Sequence, residues 1–169
     1  MIMSFIREKA VQGIQTGDQF SVTRTLAEQD VRHFADITKD YNPVHFDDRF
    51  AGTKNFCGRI CHGLLAGSLI TEIGGQIGWL ATEMNFKFIK PVYFGDIIQC
   101  TLTITEIDNR GFARAEAVIK NQDGVVVVES VLKGMLPGKN ERSVMRRMVE
   151  EGDPTNRIKT DVKAGPTPL

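Results

Sequence analysis

The stretch HGLLAGSLITEIGGQIGWL (residues 62–80) decides the fold of this 169-residue chain. Leu65, Leu69, Ile73 and Ile77 recur at four-residue steps, and small residues fill the positions between them, as on one face of a helix. Each glycine lowers helix stability by about 1 kcal/mol relative to alanine, so tertiary packing has to offset that loss. The pattern predicts a buried helix against which other backbone packs closely.

After this helix the hydrophobic pattern changes from helical to alternating. In DIIQCTLTITEID (residues 96–108) apolar side chains alternate with glutamine and threonine, as expected for a strand with one buried face. Turn signals at 109–111 and 123–124 join this strand to two more, and NFKFIKPVYF (residues 85–94) precedes it. About four antiparallel strands therefore follow the helix, and we predict an α+β fold with a curved sheet laid on a helix.

Before the buried helix, the sequence predicts a strand and a shorter helix. Residues 18–24 form the strand, and Thr25 with Glu28 form a capping-box pair at the start of the helix. That helix has to end before Pro43, because the residue preceding a proline is pushed out of the α region. Residues 40–45 therefore form a non-helical segment just past a helix end.

Composition narrows the class of protein. Lys plus Arg and Asp plus Glu both total 21, so no global charge attracts nucleic acid or an anionic membrane. The sequence shows neither a signal peptide nor a run of about 18 apolar residues that could span a bilayer. Three cysteines are too few for a secreted disulfide scaffold. We expect a soluble, cytoplasmic protein.

The chain divides into one domain and a tail. We assign residues 1–137 to a single domain and residues 138–169 to a charged, proline-containing C-terminal tail. Within the tail, four residues can form a short amphipathic face: Val144, Met145, Met148 and Val149. The tail is expected either to dock on a partner subunit or to stay mobile, and disorder is favoured beyond Pro154.

The segment DYNPVH (residues 40–45) concentrates groups that can do chemistry. A carboxylate at Asp40 and an imidazole at His45 can hold a water, take its proton and return one to a neighbouring carbon. The amide of Asn42 offers both a donor and an acceptor, so it can orient a catalytic partner without titrating. The same residues also suit a plain turn, in which Asn42 forms an Asx-type turn with Pro43. The segment alone leaves both interpretations open.

The order of motifs along the chain favours the catalytic interpretation. DYNPVH, with Ala51 after it, resembles the signature of the hydratase-2 or MaoC-like family, the R-specific enoyl-CoA hydratases. Further matches follow the family order and extend the resemblance over about residues 17–136: GD (17–18), RICHGL (59–64) and FIKPVYFGD (88–96).

This resemblance implies a fold and an activity. The fold is a hot-dog: an antiparallel sheet wrapped around a long central helix, with the sheets of two subunits joined in a homodimer or a dimer of dimers. The activity is reversible hydration of trans-2-enoyl-CoA to (R)-3-hydroxyacyl-CoA, here on short to medium chains. The acyl-CoA is the substrate, and neither a metal nor a redox cofactor takes part.

The resemblance also implies roles for individual residues. Asp40 and His45 correspond to the catalytic pair and Asn42 to the residue that orients them. The backbone amide of Gly63, at the positive end of a helix dipole, corresponds to the oxyanion donor to the thioester carbonyl. Thr71 corresponds to a hydroxyl near the active-site water in some short-chain members, although a bond to the carbonyl of its own preceding turn is the alternative.

One position departs from the family pattern. The family often has glycine before the aspartate, and here that residue is Lys39. Glycine allows a positive φ, so lysine is expected to alter the turn that places Asp40.

Two other functions remain open. A hot-dog thioesterase would use a carboxylate on the central helix, where Glu72 is the acidic residue, although pairing with a surface base also explains it. A non-catalytic acyl-CoA binder or dimeric scaffold would need neither Asp40 nor His45.

Metal sites are less favoured. Cys57, Cys61 and His62 lack a clear fourth zinc ligand, and Asp47 and Asp48 suit the start of a helical turn.

Overall fold

The computed structural model describes residues 5–153, in which a five-stranded antiparallel sheet packs on a buried central helix. The helices are α1 (Phe5–Gln12), α2 (Glu28–Thr38), α3 (Asp48–Thr53), α4 (Gly63–Gly67), α5 (Leu69–Ile77) and α6 (Lys139–Glu150). The strands are β1 (Gln19–Thr25), β2 (Leu80–Phe88), β3 (Ile97–Ile107), β4 (Phe112–Lys120) and β5 (Val126–Met135). The predicted α+β class is confirmed.

The sheet has the strand order β1-β3-β4-β5-β2. Strands β3, β4 and β5 form the predicted meander, with the two turns where the sequence signals placed them. Strand β2 pairs with β5 and so lies at one edge of the sheet that the described residues form. In β3 the apolar face points into the core, as predicted. All four of its residues are fully buried: Ile98, Cys100, Leu102 and Ile104.

The central helix is made of two segments. Helix α4 ends at Gly67 and α5 begins at Leu69, with Ser68 as the turn between them. The helix buries Leu69, Ile73 and Ile77 in the same core cluster as the inward face of β3. It ends at Gly78, which adopts the left-handed conformation (φ 77°) before the chain enters β2.

Two details of the prediction are wrong. Thr25 belongs to β1 and does not cap α2. The cap lies two residues later, where the carboxylate of Asp30 accepts the backbone N–H of Ala27 at 2.8 Å. The expectation that backbone packs against the helix glycines is also wrong at Gly63 and Gly67. Their close neighbours are the rings of Phe88 and Phe86.

The termini pack beside the central helix. Helix α6 contacts α1, and Met145 lies against the helix end at Gly78. The guanidinium of Arg7 on α1 donates to the carbonyl of Gly75 at 3.1 Å and lies 3.8 Å from the carboxylate of Asp153. The first part of the predicted tail is therefore helical and docked on its own chain. The prediction of disorder beyond Pro154 concerns residues outside the described range.

No helix within residues 5–153 has both the length and the apolar character needed to cross a membrane.

Candidate active site

A cavity of about 590 Å³ lies where α2, the 40–45 segment, the start of α4 and the end of β2 meet. Its walls are mainly apolar, and Phe34, Phe56, Leu64 and Phe88 are among the side chains that line it. A few polar side chains interrupt these walls: Thr38, Asp40, His45, His62 and Lys90. A concave apolar site of this size with a few convergent polar groups is typical of a small-molecule pocket.

Asp40 owes its position to a left-handed turn at the end of α2. Lys39 takes φ 62° and ψ 20°, and its N–H donates to the carbonyl of Ala35 at 2.7 Å. Lysine therefore adopts the conformation that glycine would adopt at lower cost, since this region costs an L-residue about 1–2 kcal/mol. The departure from the family pattern leaves the turn in place and puts Asp40 at the cavity.

Asn42 joins Asp40 to the short 3-10 turn Pro43–His45. Its side-chain oxygen accepts the N–H of Val44 at 3.2 Å, and its own N–H donates to Oδ1 of Asp40 at 3.2 Å. The Asx-type turn that the sequence allowed is therefore present. The backbone N–H of Asn42, and not its side-chain amide, holds the carboxylate of Asp40.

His45 is the last residue of this turn and is only 7% exposed. Because the carbonyl of Ile60 can only accept, the 2.8 Å contact requires Nδ1 of His45 to carry the proton. The other nitrogen, Nε2, is then an acceptor. Burial lowers the pKa of His45, so the ring is neutral at neutral pH and can accept a proton.

His62 completes this cluster, although the sequence did not predict it as a site residue. It precedes α4 and is 2% exposed, and its ring centroid lies 3.8 Å from that of His45. One side-chain atom from each of Asp40, His45 and His62 lies within 4.8 Å of the other two. Its place directly before Gly63, at the predicted helix start, was the signal that could have identified it.

Asp40, His45 and His62 lie close enough together to be considered for a shared metal ion. The two imidazoles are tilted by 32° to each other, and one ring nitrogen of each, Nδ1 of His45 and Nε2 of His62, already lies at hydrogen-bond distance from a backbone carbonyl. Among the cysteines, Cys61 and Cys100 are buried, and burial raises the pKa of each thiol to about 12.

Gly63 is the first residue of α4 and lines the same cavity. The first N–H groups of a helix have no partner within the helix, so the backbone there offers donors. A ring of Phe88 covers the residue so closely that a Cβ on Gly63 would lie 2.8 Å from it. Glycine at this position is therefore explained by packing as well as by its predicted role.

Thr71 lies elsewhere in this chain. It lines a second cavity, of about 550 Å³, together with Arg24 and Glu72. Its hydroxyl donates to the carbonyl of Ser68 at 2.7 Å, which is the local helix bond foreseen as its alternative. The structure of one chain therefore does not bring Thr71 to Asp40 and His45.

Glu72 is paired with a base. Its carboxylate accepts from the guanidinium of Arg24 on β1 at 2.6 Å, in the second cavity. This contact is the pairing with a base that the sequence left open as the alternative for Glu72.

Comparison with known proteins places these observations in a family. The MaoC like domain matches residues 9–136 of the chain. The chain belongs to the MaoC-like domain family. It is 29% identical to an (R)-specific enoyl-CoA hydratase of Rhodospirillum rubrum over 76% of this chain and 92% of that protein.

A plant relative and a solved structure extend the comparison. The chain is 28% identical to a mitochondrial 3-hydroxyacyl-[acyl-carrier-protein] dehydratase of Arabidopsis thaliana, over 73% of this chain and 78% of that protein. The unliganded R-hydratase PhaJ1 of Pseudomonas aeruginosa superposes with a TM-score of 0.69 at 30% identity, covering 75% of this chain and 84% of the other. The hot-dog fold implied by the resemblance is confirmed.

Proposed function

We propose that this MaoC-like protein hydrates trans-2-enoyl-CoA reversibly to (R)-3-hydroxyacyl-CoA. The observation that carries the proposal is the convergence of Asp40 and His45 on one cavity, beside the start of α4 at Gly63. Hydratase and dehydratase relatives support the coarser statement, that the protein is a hydro-lyase. The R configuration is proposed from the likeness to the (R)-specific hydratase and to the R-hydratase structure.

The proposed reaction adds water across a carbon–carbon double bond. A water held between Asp40 and His45 bonds through its oxygen to C3 of the enoyl thioester, and the pair takes one of its protons. The electrons of the double bond move toward the carbonyl, and the backbone N–H of Gly63 stabilises the enolate charge. A proton from the pair then goes to C2, so atoms and charge balance without a metal or redox cofactor.

We propose that the cavity binds an acyl group, of short to medium length. Its walls near the acid–base pair are aromatic and aliphatic, which suits an acyl chain, and Lys90 adds a positive charge to the lining. The names of the relatives include both an enoyl-CoA hydratase and an acyl-carrier-protein dehydratase, and both kinds of thioester carry a phosphopantetheine arm. We propose acyl-CoA as the substrate.

The proposal is tested by the loss of enoyl thioester absorbance with crotonyl-CoA. We expect hydration without release of free CoA; thiol release would instead support the thioesterase, and binding without turnover would support the scaffold. Asp40→Asn and His45→Gln should each lower kcat by at least about a hundredfold with the fold intact. Glu72→Gln is the matched control and should keep wild-type turnover, because its carboxylate is paired in the other cavity.

The pH profile tests the role of His45. Burial lowers the pKa of His45, so the neutral, proton-accepting form persists to lower pH than in a free imidazole. We expect kcat/KM for hydration to stay constant as pH falls from about 8, and then to decline with a midpoint below about 6.5. A midpoint above that value would contradict His45 as the proton acceptor.

We further propose a homodimer formed through β2. This edge strand carries exposed apolar side chains at both ends, with Leu80 70% and Phe88 53% exposed. An edge strand presents unpaired backbone N–H and C=O groups, with which a strand of a second subunit can pair. Size-exclusion chromatography with light scattering should give twice the chain mass of 18.8 kDa. A monomer would overturn this proposal.

A further inference from the structure

His62 makes contacts that the proposed reaction does not use. Its Nε2 lies 2.9 Å from the backbone oxygen of Asp40, and its ring packs against that of His45 with 3.8 Å between centroids and a 32° tilt. The ring of Phe34 on α2 also packs against it, with 5.1 Å between ring centroids. One buried side chain therefore contacts both members of the proposed catalytic pair.

The protonation state of His62 follows from its partner. A carbonyl oxygen only accepts, so Nε2 of His62 carries the proton and Nδ1 is an acceptor when the ring is neutral. Nδ1 is buried and has no hydrogen-bond partner in the described part of the chain. A buried unsatisfied acceptor costs about 1–3 kcal/mol, so histidine is a costly choice at this position.

Helix capping does not explain that choice. His62 is the N-cap residue of α4, but its side chain makes no capping hydrogen bond to the helix. The bond to Asp40 instead spans 22 residues of sequence and connects the end of α2 to the start of the central helix. By contrast, the hydrogen bonds of the Asp40 backbone N–H and of its Oδ1 stay within the segment 38–42.

We propose that His62 is the positioning residue of this site: its Nε2–H holds Asp40 through the backbone carbonyl, and its ring supports the imidazole of His45. This inference rests on the proposed function, because it concerns the same acid–base pair. His62 also precedes Gly63 directly, so one residue fixes the carboxylate and the imidazole relative to the proposed oxyanion donor. A misplacement of reacting groups by about 1 Å lowers rates about a hundredfold.

The charges around the pair determine how its pH dependence should respond. Asp40 faces the two imidazoles from the end of α2, Lys90 faces the cavity from beyond β2, and the Cys61 thiol is uncharged because burial raises its pKa to about 12. Burial and the neighbouring His62 both lower the pKa of His45. Removing the ring of His62 would relieve both effects and move the acid limb of kcat/KM to higher pH.

Two substitutions separate the hydrogen bond from the ring contact. His62→Gln places an amide N–H near the position of Nε2 but has no ring, whereas His62→Phe keeps a ring and has no donor. The matched control is His33→Gln, since His33 is exposed on α2 and hydrogen-bonds to Gln29 on the same helix. All variants are assayed for crotonyl-CoA hydration from about pH 5 to 9, with thermal unfolding to confirm the fold.

We expect His62→Phe to lower kcat about 10- to 100-fold with a much smaller change in KM. His62→Gln should retain more of kcat but show the acid limb at higher pH, and His33→Gln should match the wild type. Wild-type kcat and pH profiles in both His62 variants, with an active wild type, would overturn the positioning role alone. A wild type that hydrates no enoyl thioester would overturn the proposed function and this role together.

If the variants fail to fold, the hydrogen bond from His62 to Asp40 can be tested on the unmodified protein. In nitrogen-15 spectra of histidine-labelled protein at about pH 8, the neutral His62 ring should be protonated at Nε2 and the His45 ring at Nδ1. Protonation of His62 at Nδ1 would overturn the proposal, because Nε2 could then not donate to Asp40.

Discussion

Each half of the central helix contains two glycines, and the two pairs have different surroundings. In α4, a Cβ on Gly63 or Gly67 would lie 2.8 Å from a phenylalanine ring of β2. In α5, a Cβ on Gly74 or Gly75 would have nothing within 4 Å in the described structure. Glycine in the first half is required by close packing, whereas one chain alone gives no packing reason for it in the second half.

This difference shows how the site is built. Gly63 and Gly67 are one helical turn apart, and the rings that cover them are alternate residues of one strand, stacked with 6.0 Å between centroids and planes 3° apart. The two small residues leave room on α4 for these two rings, and both Phe88 and Gly63 line the cavity. Packing and proposed chemistry therefore depend on the same residue.

Gly63→Ala should give the largest effect, a loss of kcat of about a hundredfold or more. The new Cβ collides with the ring of Phe88, so either the ring moves into the cavity or the start of α4 moves, and in both cases the amide shifts from the thioester carbonyl. Crotonyl-CoA hydration measures the effect.

Phe88→Ala in the same chain provides the control for this substitution. It removes the ring that the new methyl group meets, so the double variant should recover part of kcat relative to Gly63→Ala. If Gly63→Ala retained full activity, the cavity would tolerate the shift and the proposed oxyanion donor would be wrong.

Gly67→Ala should affect stability more than activity. Overpacking against Phe86 costs about 1–3 kcal/mol, and the gain in helix propensity of about 1 kcal/mol offsets part of it. Urea unfolding should show a net loss of about 1 kcal/mol. Phe86→Leu should reduce that loss in a double-mutant cycle, and a simple sum of the two single effects would argue that ring and glycine are not in contact.

Sequence reasoning could predict the helix and the strands because both depend on local periodicity. The four-residue spacing of Leu69, Ile73 and Ile77 indicates the buried face of a helix, and the alternation in β3 indicates the buried face of a strand. Neither pattern depends on which residues pack against that face. The site depends on long-range contacts instead. No local signal in the sequence relates His62 to Asp40. Thr71 lies away from His45 because its side of α5 faces the second cavity.

The glycines of the central helix show the same limit of sequence reasoning. In the sequence, all of them suggest close packing. Only the structure identifies phenylalanine rings as the neighbours of Gly63 and Gly67. Lys39 is the opposite case. A lysine at this position suggested an altered turn, yet the chain accepts it in the left-handed conformation and keeps Asp40 at the cavity.

Gly75→Ala should have the smallest effect and the opposite sign. Gly75 is exposed, its φ is not among the positive values, and its carbonyl accepts from Arg7 through backbone that the substitution retains. Alanine should therefore raise the free energy of unfolding by about 0.5–1 kcal/mol without changing kcat. Urea unfolding at two protein concentrations and the mass in solution measure this directly. A loss of stability accompanied by a halved mass would show that a second subunit covers Gly75, as the rings cover Gly67, and that the open half of the helix is closed by dimerisation.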